Sequence, residues 1–326
     1  MKLKSLIILL LLIFTLSCPA LAETFSDIIV TSPNAIWTDS RAYATLNAAI
    51  AAVGANERTI VISSQQTVAN LTVPANVNLR FERDGSINNT GQLTINTKRI
   101  DAPNRQIFTG TGDIDFAQGT VLKSAWFASF VDAINLTADD EVTLIVSNPA
   151  FITANVAVGN NVTLKWESSR NRLTANTGFT LSNINRIEAG KYQLFAGAGT
   201  FTFIDGVELD LSWFARLRSA ITWIAATNVS LRFSGTHVVD YSDTVPANIN
   251  LISNSGILSI NPGVILTING PFEAGLYQVF DCVGTGGVVF GDGSIVEAYV
   301  EWFGGSGNGV LDNTVAIAKL FESTHI

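Results

Sequence analysis

Three carboxylates stand together at Asp139-Asp140-Glu141, and two more, Asp113 and Asp115, flank one residue beside Gly110-Thr111-Gly112. Paired carboxyl groups are the machinery of glycoside hydrolysis, but both must face one bond at a set separation. Adjacent residues leading into a strand point to opposite faces, so 139–141 read as a solvated turn. Asp113 and Asp115 do share a strand face. Their equivalents one repeat later are Thr200 and Thr202, which argues against a shared catalytic role. Nucleophilic chemistry has little to work with, because the chain holds two histidines, His237 and His325, and two cysteines, Cys18 and Cys282. Cys282 reads as a small buried hydrophobe. The turns at Gly110–Gly112 and Gly197–Gly199 lack the third glycine and the following helix of a dinucleotide site. The reading assigns no catalytic residue, no metal ligand and no cofactor, and leans away from an enzyme.

Aromatic residues are the remaining candidates for function. Tyr192, Tyr277, Trp126, Trp213 and Trp302 could stack on the rings of a polysaccharide, the one partner class the sequence suggests. Their apolar neighbours and regular positions point instead to packing between elements. The positions are regular because the chain repeats. The nonamer 187–195, Ile-Glu-Ala-Gly-Lys-Tyr-Gln-Leu-Phe, recurs in diverged form at 100–108 and 272–280. A Trp-Phe pair follows each copy, at 126–127, 213–214 and 302–303. The tryptophans recur after 87 and 89 residues, so the chain is an array of similar units.

Between these marks run short alternating β-branched segments bounded by Gly, Asn or Pro, the signature of half-buried strands. Glu141–Val146 is followed about twenty residues later by Asn161–Trp166, and Asn228–Leu231 by Asn248–Leu251. That spacing is too wide for hairpins and fits one coil of a parallel β-solenoid. Turn signals recur at Val73-Pro74-Ala75-Asn76, Val158-Gly159-Asn160-Asn161 and Val245-Pro246-Ala247-Asn248, where asparagines can bond up the column. Ala42–Val53 has helix composition with Gly54 as its stop. Its Ala49-Ile50 pair has counterparts at Ala133-Ile134, Ala220-Ile221 and Ala316-Ile317. The expected fold is all-β: a right-handed parallel β-helix of three repeats of about 87 residues with an amino-terminal capping helix.

The stretch Glu301-Trp302-Phe303-Gly304-Gly305-Ser306-Gly307-Asn308-Gly309-Val310-Leu311-Asp312-Asn313-Thr314-Val315-Ala316-Ile317 resembles the opening of the pectate lyase superfamily domain, a right-handed parallel β-helix. That domain typically has aspartates where Asn308 and Asn313 stand. The family's catalytic carboxylates lie many coils beyond such an opening, so none carries over to a residue here. Asp312-Asn313-Thr314 reads as a helix cap.

Lys2, Lys4, the apolar run Leu6–Phe14 and Ala20-Leu21-Ala22 form an export leader cleaved after Ala22, with acylation of Cys18 the lesser alternative. Removing two of the 19 basic residues and none of the 27 acidic ones leaves a net charge of −10, which argues against a nucleic-acid partner. Cys282 is then alone, so stability must come from core burial rather than a disulfide. No later segment is apolar enough to span a membrane. The chain divides into a leader (1–22), a capping helix with the first repeat (23–127), a second repeat (128–214) and a third (215–303). Residues 304–326 form the unfinished start of a lyase-like unit. The expected function is an exported, non-catalytic structural or glycan-binding module at the cell surface. The alternative is the amino-terminal fragment of a secreted polysaccharide lyase or glycoside hydrolase. The sequence does not specify an oligomeric state.

Overall fold

The computed structural model describes residues 37–323, so the leader, Cys18 and His325 lie outside the described residues. The structure is mostly β with parallel sheets, and its chain falls into two compact units. Of the described residues, the first holds 37–121 together with Trp126–Ala128, and the second holds Leu122–Ala125 and 129–323. No helix among the described residues is long and apolar enough to cross a membrane.

In the first unit two parallel sheets alternate along the chain. One joins Trp37–Asp39, Arg58–Ile62, Val77–Phe81 and Ile100–Asp101. The other joins Gln65–Val73 and Ser86–Ile95, and the latter pairs both Phe108–Gly110 and Asp113–Phe116. Each strand therefore bonds to one about twenty residues away, as the spacing of β-branched segments predicts. The registers stack like on like. Ile60 lies beside Leu79 and Leu79 beside Ile100, while Ile95 lies beside Val73 and Phe116. All of these columns except the half-buried Ile100 are buried, which makes them the core. Alternation follows from the strand's period of two, which sends successive side chains to opposite faces.

The second unit repeats the pattern. Leu144 of Val142–Ile145 lies beside Leu164, and Leu164 beside Ile187. Leu231 lies beside Leu251 in the long strands Val229–Val239 and Ile249–Ile260, and Leu251 beside Phe272. Asparagines tie the corners across this spacing. Asn76 Nδ2 donates to the carbonyls of Gly54 (2.9 Å) and Asn56 (2.6 Å) in the first unit. Asn248 Nδ2 does the same to Ala225 (3.0 Å) and Thr227 (2.5 Å) in the second.

Among the described residues four helices interrupt the strands: α1 (Leu46–Val53), α2 (Phe130–Leu136), α3 (Leu217–Ile224) and α4 (Thr314–Ser323). Each carries one of the Ala-Ile pairs. Helix α1 starts four residues later than its composition suggests. The Asp39 carboxylate accepts the Arg41 amide (2.9 Å) and holds Ser40–Ala42 in a 3-10 turn. Thr45 then caps α1 by accepting the Ala48 amide at 3.1 Å, as Ser129 caps α2. Gly54 ends α1 at φ 59°. Side-chain caps of this kind contribute about 1 kcal/mol each.

If corner asparagines hold consecutive strands together, Asn248→Ala should cost about 0.5–1.5 kcal/mol, because it removes the two bonds to the preceding corner. Chemical denaturation of the variant measures this, and a loss no larger than that of an exposed asparagine would remove the corner's role.

Candidate functional site

Every residue of the repeated nonamer that could act on a ligand is engaged with the chain itself. In the second copy, Trp213 Nε1 donates to the Gly190 carbonyl (3.0 Å), and the Leu194 amide donates to the Trp213 carbonyl (2.9 Å). The third copy repeats both bonds between Trp302 and Gly275 (3.0 Å) and between Val279 and Trp302 (2.9 Å). The first has them between Trp126 and Pro103 (3.1 Å) and between Ile107 and Trp126 (2.9 Å). The result is a two-point clamp that fastens the nonamer to the Trp-Phe pair about two dozen residues on.

The tyrosines complete it. Tyr192 Oη donates to the Trp166 carbonyl (3.2 Å), and Tyr277 Oη to the Ser253 carbonyl (2.6 Å), each reaching back one strand spacing. Their rings fold over the glycine two residues earlier. A Cβ at Gly190 would stand 2.6 Å from Tyr192 Cε1, and one at Gly275 would stand 2.6 Å from Tyr277 Cε1. Real Cβ atoms are not found that close to a ring carbon, so the Ala-Gly-x-Tyr spelling has a steric origin. In the first copy Pro103 and Arg105 replace glycine and tyrosine. There Arg105 makes the backward reach, donating to the carbonyls of Arg83 and Gly85.

Behind each clamp lies a triad of phenylalanines with nearly constant geometry. Phe108, Phe195 and Phe280, which end the nonamers, sit 5.6, 5.6 and 5.4 Å from Phe127, Phe214 and Phe303 in tilted pairs. They meet Phe116, Phe203 and Phe290 edge-on at 5.7, 5.7 and 5.8 Å. Such edge and offset contacts contribute about 0.5–1.5 kcal/mol beyond burial. The third member of each triad went unread in the sequence, although 116, 203 and 290 keep the same 87-residue spacing.

These placements bear on the glycan-stacking candidates. Trp126, Trp213 and Trp302 are only 2%, 8% and 3% exposed, so their rings offer no face to a sugar. Packing between elements, the reading that their apolar neighbours favour, matches this burial, and the clamp holds each indole against its carbonyl. Tyr192 and Tyr277 are half-buried, with their hydroxyls bound to backbone.

The titratable candidates are dispersed. Asp139 and Asp140 lie in the turn before Val142–Ile145, with Asp139 and Glu141 exposed. Asp113 and Asp115 are both exposed on the strand Asp113–Phe116, where Gln92 Nε2 donates to Asp115 Oδ2 (2.7 Å). His237 lies 3.0 Å from the Ser234 carbonyl, far from a nucleophile's needs. Cys282 is half-buried, and burial pushes its thiol up to about 11, so it is protonated and unreactive near neutrality. Among the described residues no group of three His, Cys, Asp or Glu side chains could hold a metal ion. The Gly-x-Gly turns are explained by backbone. Gly110 and Gly197 have φ 95° and 100°, and a Cβ there would meet the carbonyls of Asn89 and Ala175 at 2.0 and 2.2 Å. In the segment 304–313, Asn313 clasps Ser306 through both its amide oxygen and nitrogen (2.9 and 2.8 Å), and Asp312 accepts the Thr314 amide (2.9 Å). These are loop-pinning and helix-starting roles.

No family profile, no curated protein and no solved structure matches this chain.

Trp213→Phe keeps an aromatic ring but removes the indole donor, while the Gly190 carbonyl keeps the Tyr192 amide (3.1 Å), and should cost about 0.5–1.5 kcal/mol, read by thermal or chemical unfolding. Trp213→Ala should cost about 3–5 kcal/mol. The Cys282 thiol is more acidic in the unfolded chain than in the fold, so its contribution is complete below pH 9 and is lost as pH rises toward 11. Cys282→Ala should therefore flatten the alkaline fall of the melting temperature, and an unchanged fall would assign it to other groups.

Proposed function

We propose that this protein is an exported, non-catalytic spacer whose work is mechanical: it forms a stable repeat body that holds or presents something else at the cell surface. The proposed architecture is a right-handed parallel β-solenoid of three repeats of about 87 residues with α1 as amino-terminal cap. Parallel strands joined by crossover connections are right-handed in almost all known cases. The kinship proposed is with repeat modules that accompany pectate lyase superfamily domains, on the strength of the Trp302–Ile317 stretch.

One observation carries the reading. The residues the chain repeats most faithfully are consumed by a clamp and a phenylalanine triad, with nothing left over to meet a substrate. A repeat maintained for binding would keep its aromatic faces outward, whereas these three tryptophans are buried. The structural version of the function is therefore preferred to the glycan-binding one. The lyase-fragment reading draws on the Trp302–Ile317 stretch alone, in which Asn308, Asp312 and Asn313 bond to the loop's own backbone.

The test is incubation of the exported chain with acidic and neutral polysaccharides, reading both reducing or unsaturated ends and retention on immobilised glycan. No cleavage and no retention are expected. Cleavage would overturn the non-catalytic reading, and retention without cleavage would shift the function to glycan binding.

A further inference from the structure

Two Asn-Gly pairs stand in the chain, Asn269-Gly270 and Asn308-Gly309. In such a pair the glycine nitrogen can attack the asparagine carboxamide carbon, because no Cβ shields it. The structure treats the two pairs differently. Gly270 is buried, and a Cβ there would stand 2.0 Å from the Ile249 carbonyl oxygen and 2.7 Å from that of Pro246. The Asn269 side chain is pressed against Gly291, whose Cβ would lie 2.4 Å from Asn269 Oδ1. Asn308 and Gly309, by contrast, are both exposed, and a Cβ at Gly307 or Gly309 would meet nothing within 4 Å. Only this second pair has room for a ring to close and for water to enter.

The carboxamide of Asn308 is also prepared for attack. Its Oδ1 accepts the Val310 amide at 2.9 Å and the Leu311 amide at 3.0 Å. Attack at the carboxamide carbon drives negative charge onto this oxygen, and backbone N–H donors at such distances stabilise a tetrahedral oxyanion. Hydrogen bonds to a charged acceptor are roughly twice as strong as neutral ones. The same two bonds therefore favour the transition state over the resting amide.

We propose that Asn308 is a self-modification site, converted without an enzyme to aspartate and isoaspartate, while the fold protects Asn269. The Gly309 nitrogen gives its proton to water and bonds to Asn308 Cγ. The bond from Cγ to the side-chain nitrogen breaks, and ammonia leaves. Water then opens the cyclic imide at either carbonyl. Opening at Cγ gives aspartate, which keeps the backbone and offers a carboxylate to the same two amides. Opening at the main-chain carbonyl gives isoaspartate, which lengthens the main chain and displaces the clasp between Asn313 and Ser306. Both products add a negative charge to the loop before α4.

Peptide mapping by mass spectrometry on the full exported chain, aged in mildly alkaline buffer, tests this. The mass gain of an amide-to-acid exchange, with isoaspartate, should accumulate at Asn308 and not at Asn269. The same chain unfolded in guanidinium is the reference, because there each pair has only its local sequence. Asn308 should react at least as fast folded as unfolded, and Asn269 about tenfold or more slower folded than unfolded. Val310→Pro removes one donor and leaves the reacting pair intact, so it should slow the folded reaction at Asn308 by about tenfold. The comparison on the parent needs no variant and stands even where V310P fails to fold. An Asn308 that is spared in the fold but reacts when unfolded would overturn the proposal. So would an Asn269 that keeps pace with Asn308 in the folded chain, or a folded V310P that reacts like the parent.

Discussion

A parallel strand cannot satisfy its backbone from its neighbours in sequence. Its amides and carbonyls must bond to a segment that the chain reaches only after leaving and returning, here some twenty residues away. That constraint organises the rest of this molecule. Corners must turn in few residues, so they fall to asparagines that bond to the preceding corner and to glycines whose missing Cβ lets a carbonyl approach. Side chains facing inward must match their neighbours in the adjoining strand, so leucine, isoleucine and phenylalanine stack on one another. No disulfide reinforces the arrangement among the described residues.

The clamp supplies what regular pairing lacks, a defined stop. Short strands slip easily when little distinguishes one register from the next. The indole-to-carbonyl bond, the amide returned to the tryptophan carbonyl and the phenylalanine triad fix each nonamer against one Trp-Phe pair and no other. Misplacement would leave the amides of the buried Ile107, Leu194 and Val279 without their tryptophan carbonyls, which makes the arrangement specific as well as favourable. Substitution within the clamp follows the same logic. Arg105 takes over the tyrosine's backward reach where Pro103 has replaced the glycine, so the interaction persists although the residues differ.

Polar chemistry is distributed rather than gathered. Ion pairs such as Arg232 with Glu208 (2.8 Å) and Lys165 with Glu188 (3.3 Å) line outward strand faces, where solvent screens them and each contributes little. Hydrogen bonding and the charge of Arg232 hold the Glu208 carboxyl below its usual range, a consequence of pairing rather than preparation for catalysis.

The sequence by itself determined the period, the approximate strand spacing, the asparagine corners and the existence of a helix at each Ala-Ile pair. These are set by local propensity and by periodicity, which are written in consecutive residues. Even some long-range order was legible, since Phe116, Phe203 and Phe290 stand 87 residues apart and could have been read with the tryptophans. The start of α1 was not legible from alanine content, because a single carboxylate at Asp39 redirects the backbone ahead of it. Apolar neighbours and regular positions favoured packing for the tryptophans, but the partner of each indole was not legible in the sequence. The carbonyl that captures each indole lies about two dozen residues upstream, and only folding brings donor and acceptor together.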